Sequence, residues 1–401
     1  MTRKTLIRSS DLQGVGRLAV DATAGLTGVV EMMHLNILRA PGLLGTPAQG
    51  HTRGITGLVY RSIRGVTRLV GGGMDAVFTR IVPRLGDGGS SPGRETMLAA
   101  LNGVLGDHLA TSGNPLAISM RLRRNGQALE AGRAVAEAIP RPGGKLLVLA
   151  HGLCMNDLQW DRKGHDHGAA LARDLGYTPV YLHYNSGLHV STNGRAFADL
   201  LESVVAQWPV PLEELAILGH SMGGLVARSA CHYGRAAGHG WPRHLKKLVF
   251  LGTPHHGSPL EVGGNWVDVL LGASPYTAAL ARLGKIRSAG ITDLRHGNLL
   301  DEDWEGLDRF ERSGDPRRPV PLPEGVDCYA LAAVTDPEGG LHSPWPSDRF
   351  VPLASALGRH EEPDLTLDLP ESRQWTLRGI HHFDLLSEPE AYAKIQEWLA
   401  A

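Results

Sequence analysis

Four apolar residues, Leu215-Ala216-Ile217-Leu218, run directly into Gly219-His220-Ser221-Met222-Gly223-Gly224, and a second apolar run, Leu225-Val226-Ala227, follows at once. A short buried strand that ends abruptly, displays one serine at a turn and leaves as a helix is the conformation this pattern predicts. Gly219 and Gly223 stand two residues either side of Ser221, where a Cβ would collide as strand and helix cross. The pattern is G-x-S-x-G, a nucleophile elbow. Five letters occur often by chance, so the flanking strand and helix carry more weight than the letters. A nucleophilic serine also needs a base, an acid to orient that base and an oxyanion hole, and the rest of the chain can be searched for them.

The rest of the chain repeats the strand–helix alternation. Short apolar strands are expected at 146–150, 179–183, 215–218, 248–251, 328–334 and 374–378, and helices at 168–175, 194–207, 224–233 and 389–399. Continuous apolar strands alternating with helices mean a mostly parallel, doubly wound α/β sheet covered on both faces. Ahead of it, 116–123 alternates as a half-buried strand and Asn125-Gly126 signals a hairpin. A helix is expected at 95–109, after a linker at 87–93. Apolar residues also recur at helical spacing over 15–33 and 55–81. Residues 1–110 therefore read as an N-terminal helical extension and 111–401 as the main domain. Between Ser258 and Leu322 lies an insertion (about 259–322) with amphipathic stretches around Trp266–Leu271, Tyr276–Leu283 and Leu299–Phe310. Placed after the strand that follows the serine helix, it would form a helical cap whose Trp266, Leu270, Leu271 and Leu283 line an apolar cleft.

Charge excludes little globally and something locally. A net charge of −1 points to neither nucleic acid nor an acidic substrate, yet residues 1–85 hold eleven basic side chains against four acidic ones. Two readings stay open for that cationic front: helices packing on the main domain, or a surface meeting a membrane or lipid interface. Three scattered cysteines make neither a disulfide framework nor a zinc motif. With no apolar h-region at the start and no run near the ~18 residues of a membrane span, a cytoplasmic protein is expected.

The chemistry has four further stations. Leu146–Ala150 runs into His151-Gly152-Leu153-Cys154, a loop able to turn a backbone N–H toward the serine; Leu153 and Met222, the residue after the nucleophile, are the expected oxyanion donors. His151 sits inside that loop and reads as a shaping residue rather than a base. The base should follow the acid, near the C-terminus. There Gly379-Ile380-His381-His382-Phe383-Asp384 offers His382, with His381 as the alternative. For the acid, Asp348 precedes the apolar anchor Phe350-Val351-Pro352-Leu353 and is preferred over Asp336. His165-Asp166-His167 could suggest a metal, but it has no partner at metal-ligand spacing and Asp161 or Asp166 also reads as the N-cap of the next helix; no metal and no cofactor are expected.

These segments together resemble an α/β-hydrolase of the bacterial lipase and esterase type over about residues 116–401. The matching segments are His151-Gly152-Leu153, Gly219–Gly224, Thr253-Pro254-His255-His256-Gly257-Ser258, Asp348-Arg349-Phe350-Val351-Pro352 and His382-Phe383-Asp384, in family order. The resemblance implies an α/β-hydrolase fold, a Ser221–His382–Asp348 triad, an acyl-enzyme route to ester hydrolysis and a structural role for His255 and His256 at the cleft wall. Arg349 stands where the family's Asp-Gly-x-Val segment has glycine. An ester with an acyl chain is the expected substrate and nucleic acid is not an expected partner. Acyl transfer, amide or thioester cleavage, and a non-catalytic binding role remain open.

Overall fold

The computed structural model describes residues 8, 10–24, 59, 61–63, 65, 91–129, 139, 141–258, 287–308, 315, 317–336 and 347–401. Two compact units divide the chain: Met1–Arg94 with Thr111–Leu116, and Glu95–Ala110 with Ala117–Ala401.

In the first unit, residues 10–24 are helical. Asp11 accepts from the Arg8 amide at 2.8 Å, which closes the turn at the start of that helix, and it pairs with Arg94. The buried Asn114 side chain reaches the Gly14 carbonyl at 3.0 Å. Most of the second helical series, 55–81, and of the linker at 87–93 lies outside the described residues.

The second unit is built on one sheet in the order β2-β1-β4-β3-β5-β6-β7-β8. Its strands are β1 (Arg121–Arg124), β2 (Gln127–Leu129), β3 (Lys145–Ala150), β4 (Thr178–His183), β5 (Glu214–His220), β6 (Leu245–Leu251), β7 (Asp327–Val334) and β8 (Gln374–Arg378). From β4 to β8 all neighbours are parallel; β1 is antiparallel to β4 and to β2. Four longer helices accompany the strands: α1 (Pro92–Thr111), α2 (His167–Leu175), α3 (Val190–Ala206) and α4 (Met222–Ala236). A fifth, α5 (Pro389–Ala400), ends the chain.

The sheet's apolar residues divide by pleat. Leu146, Val148, Leu215 and Ile217 pack on one side with Phe197, Leu201, Leu225 and Val226 of α3 and α4. Leu147, Leu149, Ala216 and Leu218 pack on the other with Leu171 of α2 and Ile395 and Trp398 of α5. Period-2 alternation with both faces covered is why these strands read as continuous apolar runs.

Two expectations are corrected in detail. The strand expected over 116–123 is paired only from Arg121, because the Leu116 amide is taken by Asn114 Oδ1 (3.0 Å) and the Ile118 amide by Asn102 Oδ1 (2.9 Å). The Asn125-Gly126 turn does form, with φ of 51° and 73°, the left-handed pair of a tight hairpin. The helix expected from Leu299 is, over the described residues, only a short 3-10 turn at Asp301–Asp303. Asp303 Oδ2 accepts from the Leu299 and Leu300 amides (2.8 and 2.9 Å), which closes the chain into a turn rather than an extended helix. Trp266–Leu271 and Tyr276–Leu283, the other expected cap helices, lie outside the described residues. No helix among the described residues is long and apolar enough to cross a membrane.

Candidate active site

Ser221 is the junction between β5 and α4, with φ 54° and ψ −126°. A non-glycine residue held there stores about 1–3 kcal/mol of backbone strain and persists only where its surroundings fix it. The fixing contacts are visible. The Ser221 amide donates to the Leu251 carbonyl on β6 at 2.8 Å. A Cβ on Gly219 would lie 2.6 Å from Gly224 Cα, and one on Gly223 would lie 2.2 Å from the Ala150 carbonyl oxygen. Glycine at both positions is therefore a packing requirement: the helix crosses the ends of β5 and β3 at backbone contact distance.

That crossing brings the end of β3 against the serine. A Cβ built on Gly152 would sit 3.0 Å from Ser221 Cβ. Beyond Gly152 the chain turns tightly, closed by the Met155 amide on the Gly152 carbonyl (3.3 Å), with Cys154 at φ 59°. The Cys154 amide donates to Ser186 Oγ at 3.1 Å, which anchors the loop to the segment after β4. Among the described residues, neither the Leu153 nor the Met222 amide donates to a protein acceptor. His151 is fully buried, stacked on Tyr184 at 4.3 Å, with Nδ1 on the Gly152 carbonyl at 2.9 Å. Burial pushes its imidazole down to about 3, so it is neutral and shapes the loop.

Asp348 sits in the loop after β7, in a turn closed by the Ser347–Pro352 bridge. Its Oδ1 accepts from the Phe350 and Val351 amides (2.9 and 2.7 Å), and its Oδ2 lies 2.6 Å from His382 Nδ1. Both side chains are buried. With the Nδ1 hydrogen donated to the carboxylate, His382 Nε2 is left as an acceptor. Arg349 takes φ 82°, the left-handed region that the glycine of the family segment would adopt freely. The carboxylate meeting His382 is thus that of Asp348; Asp336 lies two residues past β7, half-buried. His381 is exposed, and its amide is capped by Asp384 Oδ2 at 3.0 Å.

Ser221, His382 and Leu153 line one small cavity of about 10 Å³ with Gly152, Met155, His220 and Phe383. His220, buried and held well below its ordinary pKa by desolvation, donates from Nε2 to the His382 carbonyl at 3.4 Å.

Sequence reasoning did not anticipate what holds the histidine turn, His382–Leu386. Lys163 Nζ pairs with Asp384 Oδ1 at 2.9 Å and the Arg162 guanidinium lies over the Phe383 ring at 5.4 Å. His167 Nε2 donates to the Leu385 carbonyl at 2.9 Å, and His167 Nδ1 meets His165 Nε2 at 2.9 Å. His167 thus grips the turn that carries His382, with His165 bonded behind it. Burial pushes His167 down to about 4, which keeps its Nδ1 an acceptor for His165. Of the two cap candidates, Asp166 rather than Asp161 caps α2, by accepting from the Ala169 amide at 2.9 Å.

The sheet, the elbow between a central strand and its helix, and the acid and histidine after later strands are one topology. Residues 190–316, under a third of the chain, match the model of the PGAP1-like alpha/beta domain family. The chain has the α/β-hydrolase fold. Among solved structures, the chain is similar to the mature Bacillus licheniformis lipase BlEst2, at 17% identity over 70% of this chain and 97% of that one (TM-score 0.42). It is also similar to Aspergillus fumigatus lipase B, at 13% identity over 68% and 59% (TM-score 0.41). Likenesses this distant do not bear on activity. No curated protein matches the sequence significantly.

Proposed function

We propose that the chain is a serine hydrolase of carboxylic esters. Ser221 attacks the ester carbonyl, His382 takes the serine proton at Nε2 and returns it to the leaving alcohol, and Asp348 fixes the histidine tautomer. The Met222 and Leu153 amides receive the developing oxyanion, and water then releases the acyl group from Ser221. The observation that carries this reading is the 2.6 Å Asp348–His382 pair beside a serine displayed at φ 54° in the same cavity. Two amides with no protein acceptor support the oxyanion assignment, since such donors stabilise charge that appears only in the transition state.

The test is covalent. A fluorophosphonate should label the wild-type protein and not Ser221→Ala, and p-nitrophenyl esters of graded chain length should turn over with the same dependence on Ser221. Ester turnover surviving Ser221→Ala would overturn the mechanism. Product analysis in the presence of an alcohol acceptor separates hydrolysis from acyl transfer.

A further inference from the structure

On the far side of the nucleophile helix from its start, the guanidinium of Arg228 is buried, at 5% exposure. Its Nη1 donates to His255 Nδ1 at 3.2 Å and its Nη2 to the Val320 carbonyl at 2.6 Å, while Nε has no partner. Among the described residues no carboxylate pairs with it. Burial, and then the charge of Arg317, pull Arg228 down to about 10, which still leaves it protonated at neutral pH. Because His255 Nδ1 accepts from Arg228, the ring hydrogen of this fully buried, neutral histidine is on Nε2, and Nε2 also has no partner.

Arg228 and His255 line a cavity of about 20 Å³ with Arg317, Arg318 and Asp303. Asp315 neutralises Arg317. Asp303 is committed to the Leu299, Leu300 and Arg318 amides. Arg318 is exposed, and Asp303, the carboxylate lining the cavity, has both oxygens committed to amides, so the two unused buried donors, Arg228 Nε and His255 Nε2, are left without an acceptor beside a space the size of a water or a halide. A buried guanidinium cannot shed its proton, so its charge calls for a counter-charge.

We propose that this cavity is a binding site for a single small monovalent anion, of which chloride is the physiological member. Phosphate and carboxylates are too large for it. The anion bridges α4, two turns past Ser221, to the 253–258 turn that follows β6, and this stands whether or not the protein cuts esters.

Crystals grown in sodium bromide test the site on the unaltered protein. An anomalous peak within hydrogen-bond distance of the Arg228 guanidinium and the His255 ring is expected. No peak there, or an ordered water in its place, overturns the proposal. In solution, thermal unfolding is compared in sodium chloride and sodium gluconate at equal ionic strength. Chloride should raise the apparent Tm saturably, by about 2 °C or more, and Arg228→Met or His255→Phe should abolish the difference. An identical Tm in the two salts, or an equal chloride effect in a variant that folds, refutes it.

Discussion

Asp348→Asn is the sharpest perturbation available, because the structure separates what it removes from what it keeps. Asp348 Oδ1 holds the loop through the Phe350 and Val351 amides, and an asparagine oxygen can accept both. The Oδ2 contact to His382 Nδ1 at 2.6 Å is the part that changes. An amide nitrogen there donates, so His382 must present Nδ1 as acceptor and carry its hydrogen on Nε2, where it can no longer take the serine proton. In serine proteases the equivalent change costs about four decades in kcat, or about 5.4 kcal/mol at 1.36 kcal/mol per decade. We expect a loss of that order against p-nitrophenyl esters, with a parallel fall in fluorophosphonate labelling and a urea midpoint close to wild type. Turnover within tenfold of wild type would refute the assignment, and so would a collapse in Asp336→Asn with Asp348→Asn active.

Other predictions rest on separate contacts. Gly223→Ala places a Cβ 2.2 Å from the Ala150 carbonyl oxygen and should cost at least about 3 kcal/mol or prevent folding; a urea midpoint near wild type would contradict the packing described. Arg349→Gly relieves a side chain held at φ 82° and should stabilise by up to about 1 kcal/mol once the added freedom of the unfolded chain is subtracted. His167→Leu strips the Leu385 carbonyl of its donor and should lower kcat more than it raises KM; a stability loss with unchanged kcat would reduce His167 to packing alone. Acid should destabilise the fold steeply. His151 and His256 (each down to about 3) and His167 (down to about 4) stay neutral when folded but titrate near 6.5 when unfolded. Their contribution is complete above pH ~6.5 and is lost as pH falls toward 4, by up to ~1.4 kcal/mol per histidine per pH unit. Urea midpoints that do not fall between pH 7.5 and 5 would refute this.

The parts of the fold legible in the sequence are those set by period and by backbone sterics. The 374–378 strand is found where its apolar pattern put it, and 328–334 begins one residue earlier, because both are paired in the sheet and β7 is buried in its interior. The elbow was legible because Gly219 and Gly223 answer to backbone contacts that admit no side chain. The strand expected at 116–123 and the helix expected at 299–310 misled because their amides are claimed by Asn114, Asn102 and Asp303, side-chain acceptors whose reach leaves no periodic trace. At the site, local spacing pointed to His382 and Asp348, whereas the grip of Lys163 and His167 on the histidine turn joins residues more than two hundred positions apart. His165-Asp166-His167 drew attention for its composition, and its partner, a backbone carbonyl, has no letter of its own.

The same logic explains why the Thr253–Ser258 segment accompanies the acid segment in the sequence. Ser258 Oγ donates to the Phe350 carbonyl, Ser355 Oγ donates to the Gly257 carbonyl at 2.8 Å, and the His256 amide donates to Ser355 Oγ at 3.0 Å. The turn after β6 is therefore the wall against which the Asp348 loop is seated. Asp348 is held by its own turn and by this wall, and His382 by Asp348, by His220 and by the 162–167 segment. A carboxylate and an imidazole fixed from separate elements cannot drift together, so their 2.6 Å contact is set by the sheet that spaces those elements rather than by either loop alone. Substitutions in Thr253–Ser258 should accordingly impair the site through Asp348, although none of those residues lines the cavity at Ser221.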